Sequence, residues 1–132
     1  MNRLDKKEAI GIAAGLTKTH PKDFMFGEYS ELAWTTAIYP KAGTDLSYPA
    51  LGLAGEAGEV AEKVKKIIRD KNGRMTKQDR EAIAKELGDV LWYVNALCRT
   101  IGVSLPEVAV RNIEKLFSRK DRGELHGEGD DR

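Results

Sequence analysis

Two long stretches of this sequence repeat apolar residues at the spacing of an amphipathic α-helix. They cover about residues 50–70 and 76–101. With residues about 100° apart around a helix, the apolar side chains of the first stretch fill one arc of about 140°, and those of the second a matching arc. The first arc contains Leu53, Ala54, Ala57, Val60, Ala61, Val64, Ile67 and Ile68. The second contains Ile83, Leu87, Val90, Leu91, Val94, Leu97, Cys98 and Ile101. No stretch alternates like a half-buried strand, so the sequence predicts an all-α fold with both arcs in a common core.

Start and stop signals mark the ends of these helices and predict three shorter ones. Asn72-Gly73 is typical of a helix end, and Thr76 with Asp79 resembles a capping box that opens the next helix. The shorter helices are expected over residues 5–17, 27–38 and 105–120. We expect an N-terminal extension over 1–24, a helical domain over 25–122 and a disordered polar tail over 123–132.

Composition narrows the class of protein. A chain of 132 residues suits one domain, and a net charge of +1 argues against a broadly basic nucleic-acid binder. The single cysteine, Cys98, excludes an internal disulfide framework and fits a reducing compartment. No apolar run approaches the roughly 20 residues of a membrane span, and we identify no signal peptide. These features predict a cytoplasmic protein without a nucleic-acid or membrane partner.

Two acidic pairs occupy equivalent places in the two long helices. Glu56 and Glu59 are three residues apart, and Glu86 and Asp89 repeat this spacing thirty residues later. The first acid of each pair lies at the edge of its apolar arc, and the second lies about 60° beyond it. If the helices pack side by side, four carboxylates can meet at the margin of the core. Ligation by carboxylates alone favours Mg²⁺ or Mn²⁺ over zinc or copper.

The simple alternative is that these acids form a solvated surface. Glu59 can pair with Lys63 one turn along its own helix. Glu86 has no cation three or four residues away, and Asp89 has only Lys85, which precedes it by four residues in the less favourable order, so the two acids repel each other with little compensation within their helix. We therefore expect a cation from outside that helix to balance them, and a divalent metal ion meets this need.

The helix over 105–120 adds charge of the opposite sign. Asn112, Lys115 and Arg119 fall on one stripe of this helix, within about 60° of each other and beside its apolar side. Such cations often reach from a core edge to solvent or complement a helix C-terminus. Near a metal held by carboxylates they would instead bind a polyphosphate.

Aromatic residues flank the acidic helices. Tyr93 follows Asp89 by four residues and is expected to project between the two acids of its helix. Trp34, Tyr39 and Tyr48 precede the first acidic helix. Packing is the usual role of isolated aromatics, but these side chains also suit a nucleobase, with Trp34 the favoured stacking candidate.

Three glycines recur every three residues on the first acidic helix. They are Gly52, Gly55 and Gly58. Because each glycine costs up to about 1 kcal/mol relative to alanine within a helix, a smooth strip for the close approach of a ligand or of another helix is expected. That helix would belong to this chain or to a second subunit.

Together the motifs resemble those of the all-α nucleoside triphosphate pyrophosphohydrolases, which include MazG and the dimeric dUTPases. The similarity is to Glu56-x-x-Glu59, Glu86-x-x-Asp89 and Asn112-x-x-Lys115 with Arg119. It extends over about residues 29–120, and the single copy resembles the compact MazG-like members.

The resemblance implies a four-helix-bundle-like MazG fold that is completed by formation of a homodimer or homotetramer. It implies hydrolysis of a nucleoside triphosphate, and in particular a deoxynucleotide, to the monophosphate and pyrophosphate. In this family the two acidic motifs bind Mg²⁺, for which Mn²⁺ is a possible substitute. The implied metal ligands are Glu56, Glu59, Glu86 and Asp89, with Glu59, and also Glu56, as the catalytic carboxylates. The implied substrate contacts are Asn112, Lys115 and Arg119 on the phosphates and Tyr93 at a position that contacts substrate in relatives acting on deoxycytidine nucleotides.

Two other functions fit the same residues. One is phosphoribosyl-ATP pyrophosphohydrolase, which shares the carboxylate chemistry. The other is a helical module that binds a partner and catalyses nothing.

Overall fold

A computed structural model describes residues 24–126, which contain four α-helices and no strand. The helices are α1 (Phe26–Trp34), α2 (Ser47–Lys71), α3 (Lys77–Thr100) and α4 (Leu105–Asp121). The all-α prediction is confirmed. The helix predicted over residues 5–17 lies outside the described residues, and so do residues 127–132 of the predicted tail.

Helices α2 and α3 form a long antiparallel hairpin, which is by far the most extensive helix contact in the described chain. Its connection begins with Asn72 at φ 49° and Gly73 at φ 76°, both in the left-handed region that ends many helices. The Gly73 amide donates to the Ile67 carbonyl oxygen at 3.1 Å, which satisfies the last turn of α2. The predicted stop at these two residues is confirmed.

The predicted capping box at the start of α3 is also confirmed. The Asp79 amide donates to Thr76 Oγ1 at 3.2 Å, and the Thr76 amide donates to Asp79 Oδ2 at 2.9 Å. Lys71 Nζ, from the last turn of α2, donates to Asp79 Oδ1 at 2.6 Å. These bonds, that of Lys71 first, lower the pKa of Asp79 from 3.8 to about 2. The cap therefore ties the end of α2 to the start of α3.

The predicted bounds of the first helix were too long. The structure ends α1 at Trp34 rather than at Ile38. The hydroxyls of Thr35 and Thr36 each donate at 2.7 Å to a carbonyl oxygen of the last turn. These bonds satisfy carbonyl oxygens that another helical turn would otherwise have to satisfy. Helix α2 begins at Ser47, earlier than predicted, because Pro49 fits the first turn of a helix. The other ends agree within one residue.

One close contact determines how near α2 and α3 approach. A Cβ atom at Gly52 would lie 2.2 Å from Cε1 of Tyr93, so only glycine leaves space for this ring. A Cβ atom at Gly55 or Gly58 would meet no atom within 4 Å. Among residues 24–126, the predicted close approach along the glycine strip is thus present at Gly52 alone.

The apolar arcs are only partly buried, which corrects the prediction that both would pack into the core of the chain. Ile67 is 5% exposed, but Val64 is 39% and Ile68 64% exposed on α2, and Leu87 on α3 is 52% exposed. The reason lies in the arrangement of the helices. Helices α1 and α4 pack on α3 and on each other, while the main contact of α2 is with α3. One side of the α2 arc is therefore left uncovered by the described helices.

Polar contacts hold α1 on α3. Asn95, which is 1% exposed, donates through Nδ2 to the Ser30 carbonyl oxygen at 3.2 Å. Arg99 Nε donates to Ser30 Oγ at 3.2 Å, and the Arg99 guanidinium lies 2.5 Å from the Glu31 carboxylate. These contacts position the segment that follows α1 beside α3. None of the described helices is long and apolar enough to cross a membrane.

We expect Asp79→Asn to remove a pH-dependent part of the stability. Because the folded pKa of Asp79 lies below its ordinary value, its carboxylate stabilises the fold above about pH 4, and this stabilisation is lost as the pH falls toward 2. Thermal unfolding of the variant should therefore occur at a lower temperature than wild type at pH 7, with the difference shrinking between pH 4 and 2. Glu81→Gln, an exposed position on α3, is the control. A difference that stays constant down to pH 2 would contradict this account.

Gly52→Ala should destabilise the protein by about 1–2 kcal/mol, because displacement of the Tyr93 ring outweighs the better helix propensity of alanine. Gly55→Ala is the matched control and should stabilise it by up to about 1 kcal/mol, since its added methyl group meets none of the described residues within 4 Å. Urea unfolding measures both. Equal stability of the two variants would show that the Tyr93 contact does not restrict position 52.

Candidate active site

Three carboxylates meet where α2 and α3 pack side by side. Glu56, Glu86 and Asp89 each offer one oxygen atom, and these oxygens all lie within 4.8 Å of one another. Glu56 and Glu86 are half-buried, while Asp89 is exposed. The antiparallel hairpin produces this meeting, because the two acidic motifs lie at similar distances on either side of its connection. The predicted convergence of the two motifs is therefore observed for these three acids.

The cluster repels itself electrostatically. Desolvation raises the pKa of Glu56, and the charges of Asp89, Glu86 and Glu59 raise it further. A bound cation would offset this repulsion. The group offers only carboxylate oxygens, which fit a hard ion such as Mg²⁺ or Mn²⁺.

Glu59 is not a member of this three-carboxylate group. It is exposed one turn along α2 from Glu56, near enough for its charge to raise the pKa of Glu56. Its assignment as a metal ligand and catalytic carboxylate stays a prediction.

A lysine contacts the cluster from α2. Lys63 Nζ lies 3.0 Å from Glu86 Oε1, and this hydrogen bond raises the pKa of Lys63. The expected pairing of Lys63 with Glu59 is wrong, because the neighbouring helix offers a closer carboxylate. Glu86 thus has a counter-charge from outside its own helix, as expected, but this cation is part of the protein. The helical spacing could have predicted this contact with the cluster, since Lys63 follows Glu56 by two turns on the same stripe of α2.

A cavity of about 480 Å³ opens beside the carboxylates. Its lining consists of Thr36, Glu56, Asp89, Trp92 and Tyr93. Tyr93 was expected near the acids, whereas Trp92 and Thr36 were missed. Trp92 Nε1 donates to Thr36 Oγ1 at 2.8 Å, a contact between residues 56 positions apart that no local pattern reveals.

Tyrosines extend this lining into an aromatic wall. The ring centroids of Trp92 and Tyr93 lie 5.0 Å apart, and those of Tyr48 and Tyr93 lie 6.4 Å apart. Tyr39 stacks on Tyr48 at 4.6 Å with the ring planes 7° apart. Trp34, the expected stacking residue, does not line this cavity and instead lies against Gly43. Trp92 lines the cavity instead, and the stacking role of Trp34 stays a prediction.

None of the three polar residues predicted on α4 lines the cavity. Asn112 and Lys115 are exposed, and Arg119 is 7% exposed near the end of the helix. Their contact with phosphate stays a prediction.

Comparison with known proteins agrees with this arrangement. Residues 47–123, more than half of the chain, match the MazG nucleotide pyrophosphohydrolase domain. The Gene 37 protein of Mycobacterium phage L5 is 52% identical over 109 residues, which cover 79% of this chain and 96% of that protein. No solved structure gives a significant match. The chain belongs to the MazG nucleotide pyrophosphohydrolase domain family.

Proposed function

We propose that this protein hydrolyses a nucleoside triphosphate, and specifically a deoxynucleoside triphosphate, to the monophosphate and pyrophosphate with the help of Mg²⁺. The main support is the three-carboxylate cluster at an aromatic cavity in a chain of the MazG family. Carboxylates supply the ligands for a hard cation, and the cavity has a volume in the range of small-molecule sites.

Glu56, Glu86 and Asp89 would hold the Mg²⁺. A bound Mg²⁺ neutralises negative charge on phosphate oxygens and makes a bound water easier to deprotonate. Glu59 is exposed one turn from Glu56 and does not belong to the three-carboxylate group. Its carboxylate is therefore available to orient or deprotonate the attacking water. With three acids as metal ligands and Glu59 acting on the water, all four acids of the two motifs have a role.

The nucleoside end of the substrate would enter the aromatic cavity. Trp92 and Tyr93 line it, and Asp89 and Glu56 lie at the same opening. Aromatic rings stack on any nucleobase, so this wall supports nucleotide binding without choosing a base. Asn112, Lys115 and Arg119 would bind the phosphates, as the resemblance of their motif to the family implies.

The proposal predicts Mg²⁺-dependent release of pyrophosphate, rather than of phosphate, from at least one nucleotide. The assay should cover the canonical and modified dNTPs, the ribonucleotides and phosphoribosyl-ATP, with both products quantified. Asp89→Asn should lower kcat/KM about 100-fold or more, because loss of a metal ligand removes several kcal/mol of transition-state stabilisation.

Asp70→Asn is the matched control. Asp70 is exposed on the same hairpin and bonds to Arg69 at 2.6 Å, away from the three-carboxylate group. It should keep nearly full activity. Unchanged activity of Asp89→Asn would refute the assigned site. Turnover restricted to phosphoribosyl-ATP would identify that alternative enzyme, and a protein that binds neither Mg²⁺ nor any nucleotide would be a partner-binding module.

We also propose that the protein is a homodimer or homotetramer. The uncovered side of α2 supports this, because it presents Ala57, Ala61, Val64 and Ile68 along one apolar stripe. A stripe of this kind can pack against its own copy about a two-fold axis.

Ile68→Glu should shift the protein toward monomer, because a carboxylate would be buried in the interface without a partner. Sedimentation equilibrium measures the change. Met75→Glu is the control, since Met75 is 45% exposed in the connection after α2. A wild-type protein that stays monomeric and active at high micromolar concentration would contradict the proposal.

A further inference from the structure

Lys63 and the three-carboxylate group share one residue, Glu86. Lys63 Nζ lies 3.0 Å from Glu86 Oε1, and the two side chains are only 28% and 20% exposed. The Glu86 carboxylate also belongs to the group that can hold a metal ion. A half-buried ion pair therefore holds a carboxylate that a bound metal would also use.

Helix geometry keeps Lys63 at this place. Lys63 follows Glu56 by seven residues, within about 20° of two full turns, so both side chains leave α2 on the same stripe. The next two lysines behave differently. Lys65 and Lys66 pair with Glu62, which is outside the cluster, at 3.4 and 3.3 Å. Among these lysines, only Lys63 contacts a carboxylate of the cluster.

We propose that Lys63 is a positioning residue of the metal centre that weakens metal binding to the free protein and binds a substrate phosphate once the metal has engaged Glu86. The inference depends on the proposed function. An ammonium beside Glu86 holds this carboxylate in place without a metal, and it repels an arriving divalent cation. A metal bound to Glu86 would in turn neutralise the carboxylate charge that holds Lys63. A phosphate oxygen would then take the place of Glu86 as the partner of the ammonium.

The consequence is positive coupling between metal and polyphosphate. Metal binding releases the ammonium for the polyphosphate, and the polyphosphate removes the charge that opposes the metal. By linkage, each ligand must raise the affinity of the other by the same factor. Lys63 would thus restrict tight metal binding to the time when substrate is present.

Calorimetric titration with Mn²⁺ alone and with pyrophosphate plus Mn²⁺ tests the inference without turnover. Lys63→Met should bind Mn²⁺ about tenfold more tightly than wild type, because the repelling charge is gone. It should bind pyrophosphate in saturating Mn²⁺ about tenfold more weakly, because one charged donor is gone. Lys63→Arg, which keeps the charge, should resemble wild type in Mn²⁺ affinity. Lys66→Met is the matched control and should change neither affinity.

Thermal unfolding gives a second measurement. Without metal, Lys63→Met should unfold at a lower temperature, since Glu86 loses its partner inside the cluster. The increase in Tm on addition of Mn²⁺ should be larger than in wild type. A purely structural Lys63 would lower Tm equally with and without Mn²⁺. If Lys63→Met does not fold, Lys63→Gln gives the same comparison.

Unchanged or weaker Mn²⁺ affinity of the neutral variants overturns the inference, while pyrophosphate release by wild type would leave the proposed function intact. The expected affinity changes without hydrolysis of any nucleotide would instead refute only the proposed function. Failure of the wild-type protein to bind Mn²⁺ at millimolar concentration overturns both.

Discussion

The antiparallel contact of α2 with α3 is the interaction on which the candidate site depends. No single helix carries the site, because Glu56 and Lys63 lie on α2 while Glu86 and Asp89 lie on α3. Gly52 allows the Tyr93 ring to lie against the α2 backbone, and the left-handed connection and the cap on Asp79 hold the hairpin end. A slide by one helical turn, about 5.4 Å, would separate the carboxylates. The close contacts that restrict the hairpin therefore also restrict the site.

The negative charges of the three carboxylates repel one another. Desolvation first, and then the charges of the neighbouring carboxylates, raise the pKa of Glu56, since like charges brought together disfavour the ionised form. The Lys63 ammonium offsets part of this cost within the protein. A site that repels itself is typical of groups arranged for a ligand rather than for stability. In the proposal made above, this partial compensation by Lys63 would let substrate adjust the metal affinity of the site.

The uncovered side of α2 follows from the same architecture. Helices α1 and α4 pack on α3 and leave one apolar stripe of α2 open within the described chain. The aromatic wall lies elsewhere: Trp92 and Tyr93 line the cavity beside the carboxylates, and ring contacts continue from Tyr93 to Tyr48 and Tyr39. The two surfaces are chemically distinct. One is aliphatic and suits a second copy of the chain, while the other combines rings with acids and suits a nucleotide with its metal.

The sequence by itself determined what depends on residues within about four positions of one another. The ends at Asn72-Gly73 and Thr76, the helical class and the equivalent placement of the acidic pairs are of this kind, because caps and helical faces arise from local spacing. Only the tertiary structure decided which long-range partners meet. The register of α2 against α3 gave Glu86 its contact with Lys63 and left Glu59 outside the three-carboxylate group, while the packing of α1 on α3 brought Thr36 to Trp92. It also left Val64 and Ile68 exposed, because a helical pattern shows which face is apolar but not how much of that face another helix covers.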